Sequence, residues 1–319
     1  MTGVTNDEAV TDEQVAGSDP LDVAVIGTGT MGAPMAMQVI AAGHRLRVTD
    51  RIPAALADLV AAGARSFEDA AAAADGADVV LLSLPGPAEV IDAVTGDRGI
   101  LAAEQLPPTI VDHSTNDVAT VRALHARCAA AGVAFLDAPV SGGVAKARTG
   151  SLTVLVGGST DQLESVLSIL DCVGEHILHV GPSGAGAIAK IVNNQLFLAA
   201  GLVVQEAYVL AAALGMAPDD AHAIIGVSSA APYAALAPLL LGRRFDDVIF
   251  RLDIAAKDLE LAVASAGEAG ADVPLTAAGA ALYADAVAAG DGNLAFHATL
   301  LELERRAGVE LSPLTRRRT

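Results

Sequence analysis

The sequence predicts a doubly wound α/β domain followed by an all-helical one. Short, unbroken apolar runs alternate with alanine-rich helical stretches from residue 21 to about residue 180. A glycine-rich hexapeptide closes the first of these runs, and after Gly181 no strand pattern recurs. Strands without polar alternation are buried on both faces, as in a parallel sheet covered by helices on each side.

The elements follow in order. Residues 21–26 are apolar but for Asp22 and end at Gly27, which makes them the first strand. A helix over 30–42, a strand over 46–49 and a helix over 53–62 come next. A buried strand over 77–84 is stopped by Pro85-Gly86-Pro87. Strands over 109–112 and 133–136 flank a helix over 117–131. Beyond Gly181 the helical runs are 185–214, 218–227, 253–269, 274–289 and 294–307. Pro218 and Pro274, with Gly215, Gly270, Gly290 and Gly308, stand at their starts and stops. The run 188–216 is interrupted by Lys190, Asn193, Asn194, Gln205 and Glu206, so it reads as a long buried helix rather than a membrane span. The chain thus divides into an acidic, disordered tail (1–20), an α/β domain (21–181) and a helical substrate and oligomerisation domain (182–319). The last five residues, 315–319, read as a solvated basic tail.

Composition narrows the function. A length of 319 residues suits two domains. Nineteen basic against 38 acidic side chains leave a formal charge of −19, which argues against a nucleic-acid surface and disfavours anionic membranes. Hydrophobic residues at 53% exclude a disordered chain, and 3% aromatics without Trp leave Ala, Val, Leu and Ile to build the core. Two cysteines, Cys128 and Cys172, exclude a disulfide scaffold or a cysteine zinc site and suit a reducing cytoplasm. The start lacks the basic and apolar regions of a secretory signal, so a cytoplasmic protein is expected.

Gly27-Thr28-Gly29-Thr30-Met31-Gly32 fits G-x-G-x-x-G where it carries meaning, between a strand and a helix. The first glycine permits the tight turn, the second lets backbone approach a pyrophosphate, and the third packs helix on strand. The helix N-terminus adds unpaired N–H groups and a positive dipole end. Residues 21–181 therefore form a dinucleotide-binding domain. Asp50, ending the next strand, stands where a carboxylate meets the adenosine ribose, and it favours NAD over NADP because it repels a 2′-phosphate. Arg51 beside it leaves two roles open, binding such a phosphate or stacking on adenine.

Three further blocks follow: Asp137-Ala138-Pro139-Val140-Ser141-Gly142-Gly143; Lys190-Ile191-Val192-Asn193-Asn194 after a glycine-alanine run; and Lys257-Asp258-Leu259-Glu260-Leu261-Ala262. With the glycine loop, in this order over residues 21–307, they resemble the β-hydroxyacid dehydrogenase family. Its members include 3-hydroxyisobutyrate dehydrogenase and the tartronate, glyoxylate and succinic semialdehyde reductases. The resemblance implies a Rossmann-type domain, an all-α domain, a nicotinamide cofactor and a site between the domains. It makes Lys190 the catalytic acid/base and Asn194 a substrate-orienting residue; i and i+4 share a helix face. It makes Ser141, Gly142 and Gly143 a carboxylate-binding loop, a cradle that exposed glycine amides and a hydroxyl suit. It brings Ser114 and Thr115 to the nicotinamide side and Lys257 near the cofactor. Against these stand a surface lysine at 190, an ordinary turn at 141–143 and a solvated Lys257. The family also implies a homodimer or homotetramer and a small carboxylate-bearing substrate.

Other constellations fail. Asp112-His113-Ser114 holds the members of a hydrolase triad, but consecutive strand residues face opposite ways. His176 and His179 lack a third ligand at metal-site spacing, so no metal is expected. The sequence departs from the family at Asn116-Asp117, which replaces an apolar-x-Pro pattern, and at Leu294-Ala295-Phe296-His297, where relatives carry an Asp-Phe-Ser-like run near the substrate. The expected activity is hydride transfer between a nicotinamide cofactor and a short 3-hydroxy (or 4-hydroxy) carboxylate and its semialdehyde. Alternatives are an imine reductase, which usually lacks the lysine, a 6-phosphogluconate dehydrogenase-type enzyme, which needs a basic cluster, and a non-catalytic NAD-binding regulatory protein.

Overall fold

The computed structural model describes residues 19–314. The terminal tails read from the sequence therefore lie outside the described residues, but for residues 19 and 20. By internal packing the chain forms two units, one ending at Lys190 and the other running from Ile191.

The first unit is built on a mostly parallel sheet. Its strands are β1 (Asp22–Ile26), β2 (Arg45–Thr49), β3 (Arg65–Ser66), β4 (Val79–Leu82), β5 (Thr109–Asp112), β6 (Ala134–Asp137), β7 (Val140–Ser141), β8 (Leu152–Gly157) and β9 (Gly174–Gly181). Its helices are α1 (Gly32–Ala41), α2 (Ala57–Ala61), α3 (Ala70–Ala74), α4 (Pro87–Thr95), α5 (Val118–Ala130), α6 (Gly143–Ala147) and α7 (Thr160–Val173). The strand order β3-β2-β1-β4-β5-β6-β8-β7, with β9 on β8, reverses direction of travel between β1 and β4. The glycine loop after β1 lies at that switch point, where open α/β sheets bind ligands.

The apolar runs have the reason expected of them. Val23, Val25, Val79, Leu81, Val111 and Leu136 face a core shared with Met35 and Val39 of α1 and Ile169 of α7. The alternate residues Ala24, Ile26, Val80, Leu82, Ile110 and Phe135 face a second core with Val90 of α4 and Leu124 of α5. In β1, β4, β5 and β6, covered on both faces, polar residues stand only at strand ends, whereas β2 carries Arg47 in its middle. One end of the sheet is mixed: β8 runs antiparallel to β6 and β7. That arrangement depends on the short 138–151 connection, and the apolar runs do not reveal it.

The second unit contains the rest of α8 (Ala185–Ala213), then α9 (Pro218–Gly226), α10 (Ala231–Ala234), α11 (Ala237–Leu240), α12 (Leu252–Glu268), α13 (Pro274–Ala286) and α14 (Thr299–Ala307). Leu198, Leu202, Tyr208, Leu252, Leu259, Tyr283 and Phe296 make its core. Two expectations are corrected. The helix predicted over 294–307 begins only at Thr299, because the Ala295 N–H donates to Phe245 and the Leu294 carbonyl accepts from Leu252. Helix α8 is buried along one face only: Val192, Leu196, Val203 and Leu210 stand exposed on it. It is also, by length and composition alone, the one described helix apolar enough to cross a membrane.

Candidate active site

The glycine loop shows what each glycine is for. Gly27 has φ +89°, and a Cβ there would lie 2.3 Å from the Ser83 carbonyl. A Cβ on Gly32 would lie 2.0 Å from the Gly27 carbonyl, so α1 rests directly on the end of β1. Gly29 is different: nothing lies within 4 Å of its Cβ position, and with Thr30 it is exposed. No side chain caps α1, whose N-cap is Met31. Open space over a glycine at an uncapped helix start fits a dinucleotide pyrophosphate.

Asp50 closes this corner. Its Oδ2 accepts the Thr28 N–H at 2.7 Å and its Oδ1 the Ile52 N–H at 2.8 Å, while the Thr28 hydroxyl donates to Oδ2. Thr28 is thus committed to Asp50, and the carboxylate is fixed with acceptor capacity left for a hydroxyl. Arg51 pairs with Asp92 at 2.7 Å, both exposed. Ser114 is a tie between strands: its hydroxyl accepts the Leu84 N–H and its own N–H donates to Asp112. Thr115 follows it, half-buried.

The 137–143 segment crosses the end of the same sheet. Gly142 and Gly143 have φ of +129° and +69°, backbone that glycine alone adopts readily. Ser141 is half-buried and both glycines are exposed. A Cβ on Gly143 would meet nothing within 4 Å. Lys190 reaches this segment: its Nζ donates to the Val140 carbonyl at 2.8 Å, one residue before Ser141. In the second unit, the Asn194 amide is buried and donates to Asp258 Oδ2 at 2.6 Å, while its Oδ1 accepts from Asn193 at 3.0 Å. Lys257 Nζ lies 2.9 Å from Asp258 Oδ1. Asp258 therefore links two of the residues read from the sequence, Asn194 and Lys257.

Three carboxylates were given no role from the sequence, Asp112 being weighed only as a member of a hydrolase triad. Asp258 is buried under Asn194, and its signal was the lysine–aspartate pair, read for the lysine alone. Asp137 opens the D-A-P-V-S-G-G block, read for its Ser-Gly-Gly. Its carboxylate is buried and accepts the N–H groups of Gly184 and Ala187 at 2.8 and 2.9 Å. Asp112, its register partner on β5, accepts from Ser114 N–H and Asn116 Nδ2. Burial pushes the Asp112 carboxyl up to about 7 against these bonds, and it raises Asp137 as well. Beside them the His113 Nδ1–H donates to the Ala138 carbonyl at 2.7 Å, and burial pushes the imidazole down to about 4, a neutral ring at physiological pH.

A switch-point glycine loop with a strand-end acid, on a doubly wound sheet followed by a helical unit, is the arrangement of a dinucleotide-binding protein. Residues 22–181 match the NAD-binding domain of 6-phosphogluconate dehydrogenase, and residues 184–303 the NAD-binding domain of NADP-dependent 3-hydroxyisobutyrate dehydrogenase. An NAD-dependent L-serine dehydrogenase of Pseudomonas aeruginosa is 36% identical over 269 residues, 82% of this chain and 90% of that one. A 2-(hydroxymethyl)glutarate dehydrogenase of Eubacterium barkeri is 33% identical over 92% of this chain and 98% of its own. The structure of 3-hydroxyisobutyrate dehydrogenase of Mycobacterium tuberculosis with L-serine superposes with a TM-score of 0.80 at 32% identity, covering 89% of this chain and 99% of that one. The chain belongs to the β-hydroxyacid dehydrogenase family and is an NAD(P)-dependent hydroxyacid dehydrogenase.

Proposed function

We propose that the protein oxidises a short 3-hydroxy carboxylate to its semialdehyde, or reduces the semialdehyde, with NAD in preference to NADP. The observation that carries the reading is Lys190, whose ammonium is held 2.8 Å from the Val140 carbonyl beside the open Ser141-Gly142-Gly143 turn. A nicotinamide nucleotide, when bound, supplies the hydride acceptor or donor. Lys190 as a neutral amine takes the hydroxyl proton as the alcohol is oxidised, and as an ammonium returns it to the carbonyl oxygen on reduction. Ser141 and the backbone N–H groups of Gly142 and Gly143 hold the carboxylate, and Asn194, its amide fixed by Asp258, orients the substrate oxygen. Asp50 meets the ribose hydroxyls that a 2′-phosphate would displace, and Ser114, Thr115 and Lys257 complete the cofactor's surroundings. The relatives named for L-serine, 3-hydroxyisobutyrate and 2-(hydroxymethyl)glutarate support the substrate class, since all three molecules carry a hydroxymethyl group β to a carboxylate.

The lysine is tested by substitution. Lys190→Ala should lower kcat by roughly 10²–10⁴-fold, the usual worth of a positioned acid/base, and leave the Kd for NADH unchanged. Lys190→Arg should fail equally, because arginine keeps its proton near neutrality. A Lys190→Ala enzyme with wild-type kcat, in a regime where chemistry limits turnover, removes the lysine from this role.

The enzyme, in this reading, is a homodimer or a larger homo-oligomer joined through its helical unit. Leu196, Val203 and Leu210 recur every seven residues on the exposed face of α8, a seam that a second copy would cover.

A further inference from the structure

Helix α8 carries Lys190, and its start is capped from far away. Its N-cap, Gly184, has no side chain to cap it, and the hydroxyl of Ser183, one residue earlier, is buried without a hydrogen-bond partner. The cap comes instead from Asp137, at the end of β6, whose Oδ1 takes the Gly184 N–H and whose Oδ2 takes the Ala187 N–H across separations of 47 and 50 residues. A carboxylate there satisfies two of the helix's orphan donors and meets the positive end of its dipole.

The joint has no slack. A Cβ on Gly186 would lie 2.4 Å from the Leu155 carbonyl and 2.6 Å from the Asp137 carbonyl, and one on Gly157 2.5 Å from Asp137 Oδ1. The first turn of α8 therefore sits on the ends of β6 and β8 with no side chain between. Three residues after Ala187 comes Lys190, and its Nζ returns to Val140, three residues after Asp137. Strand end, helix start, lysine and loop close a ring with Asp137 at its corner.

We infer that Asp137 is a positioning residue for the hydride-transfer reaction: by bolting the start of α8 to the end of β6 it sets where the Lys190 amine stands over the Ser141–Gly143 turn. This rests on Lys190 as the acid/base. Asparagine at 137 keeps the volume but offers one acceptor, and its NH₂ group faces the second helix N–H. The helix start must shift, and a displacement of the order of 1 Å at a reacting group costs about 10²-fold.

The test is a double-mutant cycle on the full-length enzyme, with 3-hydroxyisobutyrate and NAD⁺ as probes and kcat normalised to NADH-binding sites so that misfolded protein does not count. Asp137→Asn alone should lower kcat roughly 10- to 100-fold with NADH affinity unchanged. In a Lys190→Ala background, assayed with added methylamine to supply the missing base, the same substitution should change the rate by less than about twofold, because the group it positions is gone. Acylation of the Lys190 amine in the cofactor-free protein, followed by mass spectrometry, should quicken several-fold in Asp137→Asn as the lysine leaves Val140. Equal losses in both backgrounds, or no loss in the first, would overturn the inference and assign Asp137 to fold stability alone. If Lys190→Ala itself keeps wild-type kcat, the acid/base reading fails first and takes this inference with it, a result distinct from the other two.

Discussion

Asp112 ends β5 with its carboxylate out of water and two N–H donors on it, and burial wins, raising it to about 7. Its folded value lies above its unfolded one, so the native state holds a proton that the unfolded chain has lost. The stability linked to this group is complete below the ordinary carboxylate range and is lost as pH rises through about 7. Asp112→Asn removes the titration and keeps the shape; the Asn116 amide can turn to pair with it. The variant's melting temperature should gain a few degrees on the wild type as pH is raised from about 5 to about 8. A difference that stays constant with pH would show that Asp112 does not titrate there. Asp50→Ala removes a fixed negative charge from the ribose corner and should cut the preference for NADH over NADPH in kcat/KM by roughly tenfold or more. A wild type that already uses NADPH better contradicts that role. Lys190, Asn194 and Asp50 were singled out from the sequence because each sits in a short block that carries its own context. Asp137 and Asp258 were not, because what they do depends on Gly184, Ala187 and Asn194, 47, 50 and 64 residues away in the chain.

At the scale of elements, the loop from β1 to α1 separates packing from binding. Gly32→Ala drives a Cβ to 2.0 Å from the Gly27 carbonyl, so α1 must lift off β1. It should lower both the melting temperature and the NADH affinity. Gly29→Ala meets nothing within 4 Å and should leave the melt unchanged while weakening NADH binding about tenfold, since the methyl stands where the pyrophosphate comes. Equal effects on melting would refute the distinction. The central strands were legible because burial on both faces leaves no polar residue inside them. Helix α7 went unread, although Ser159 and Gln162 form a reciprocal capping box at its start. The reversal of β8 and the short α10 and α11 were not legible, because hydrogen bonding across the turns selects them rather than any period in the chain.

For the whole molecule, the exposed seam on α8 predicts self-association. The wild type should have at least a dimer's mass by light scattering at micromolar concentration. Leu196→Glu with Leu210→Glu should reduce it to a monomer without unfolding it, as two charges cannot be buried unpaired across such a face. The two-unit plan was legible from the change of pattern at Gly181. The packing division falls later, after Lys190, because Asp137 holds the first turn of α8 to the sheet. The claim that the molecule is a hydroxyacid dehydrogenase acting beside Lys190 is tested most directly by steady-state turnover on a panel run with NAD⁺ and with NADP⁺. The panel comprises L-serine, 3-hydroxyisobutyrate, 2-(hydroxymethyl)glutarate, 4-hydroxybutyrate, 6-phosphogluconate, a 2-hydroxy acid and, in the reducing direction, a cyclic imine. At least one short 3-hydroxy carboxylate should turn over, faster with NAD⁺, and neither the imine nor the sugar phosphate should. Turnover confined to the imine or to 6-phosphogluconate, or NADH binding with no turnover of any member, would contradict the claim.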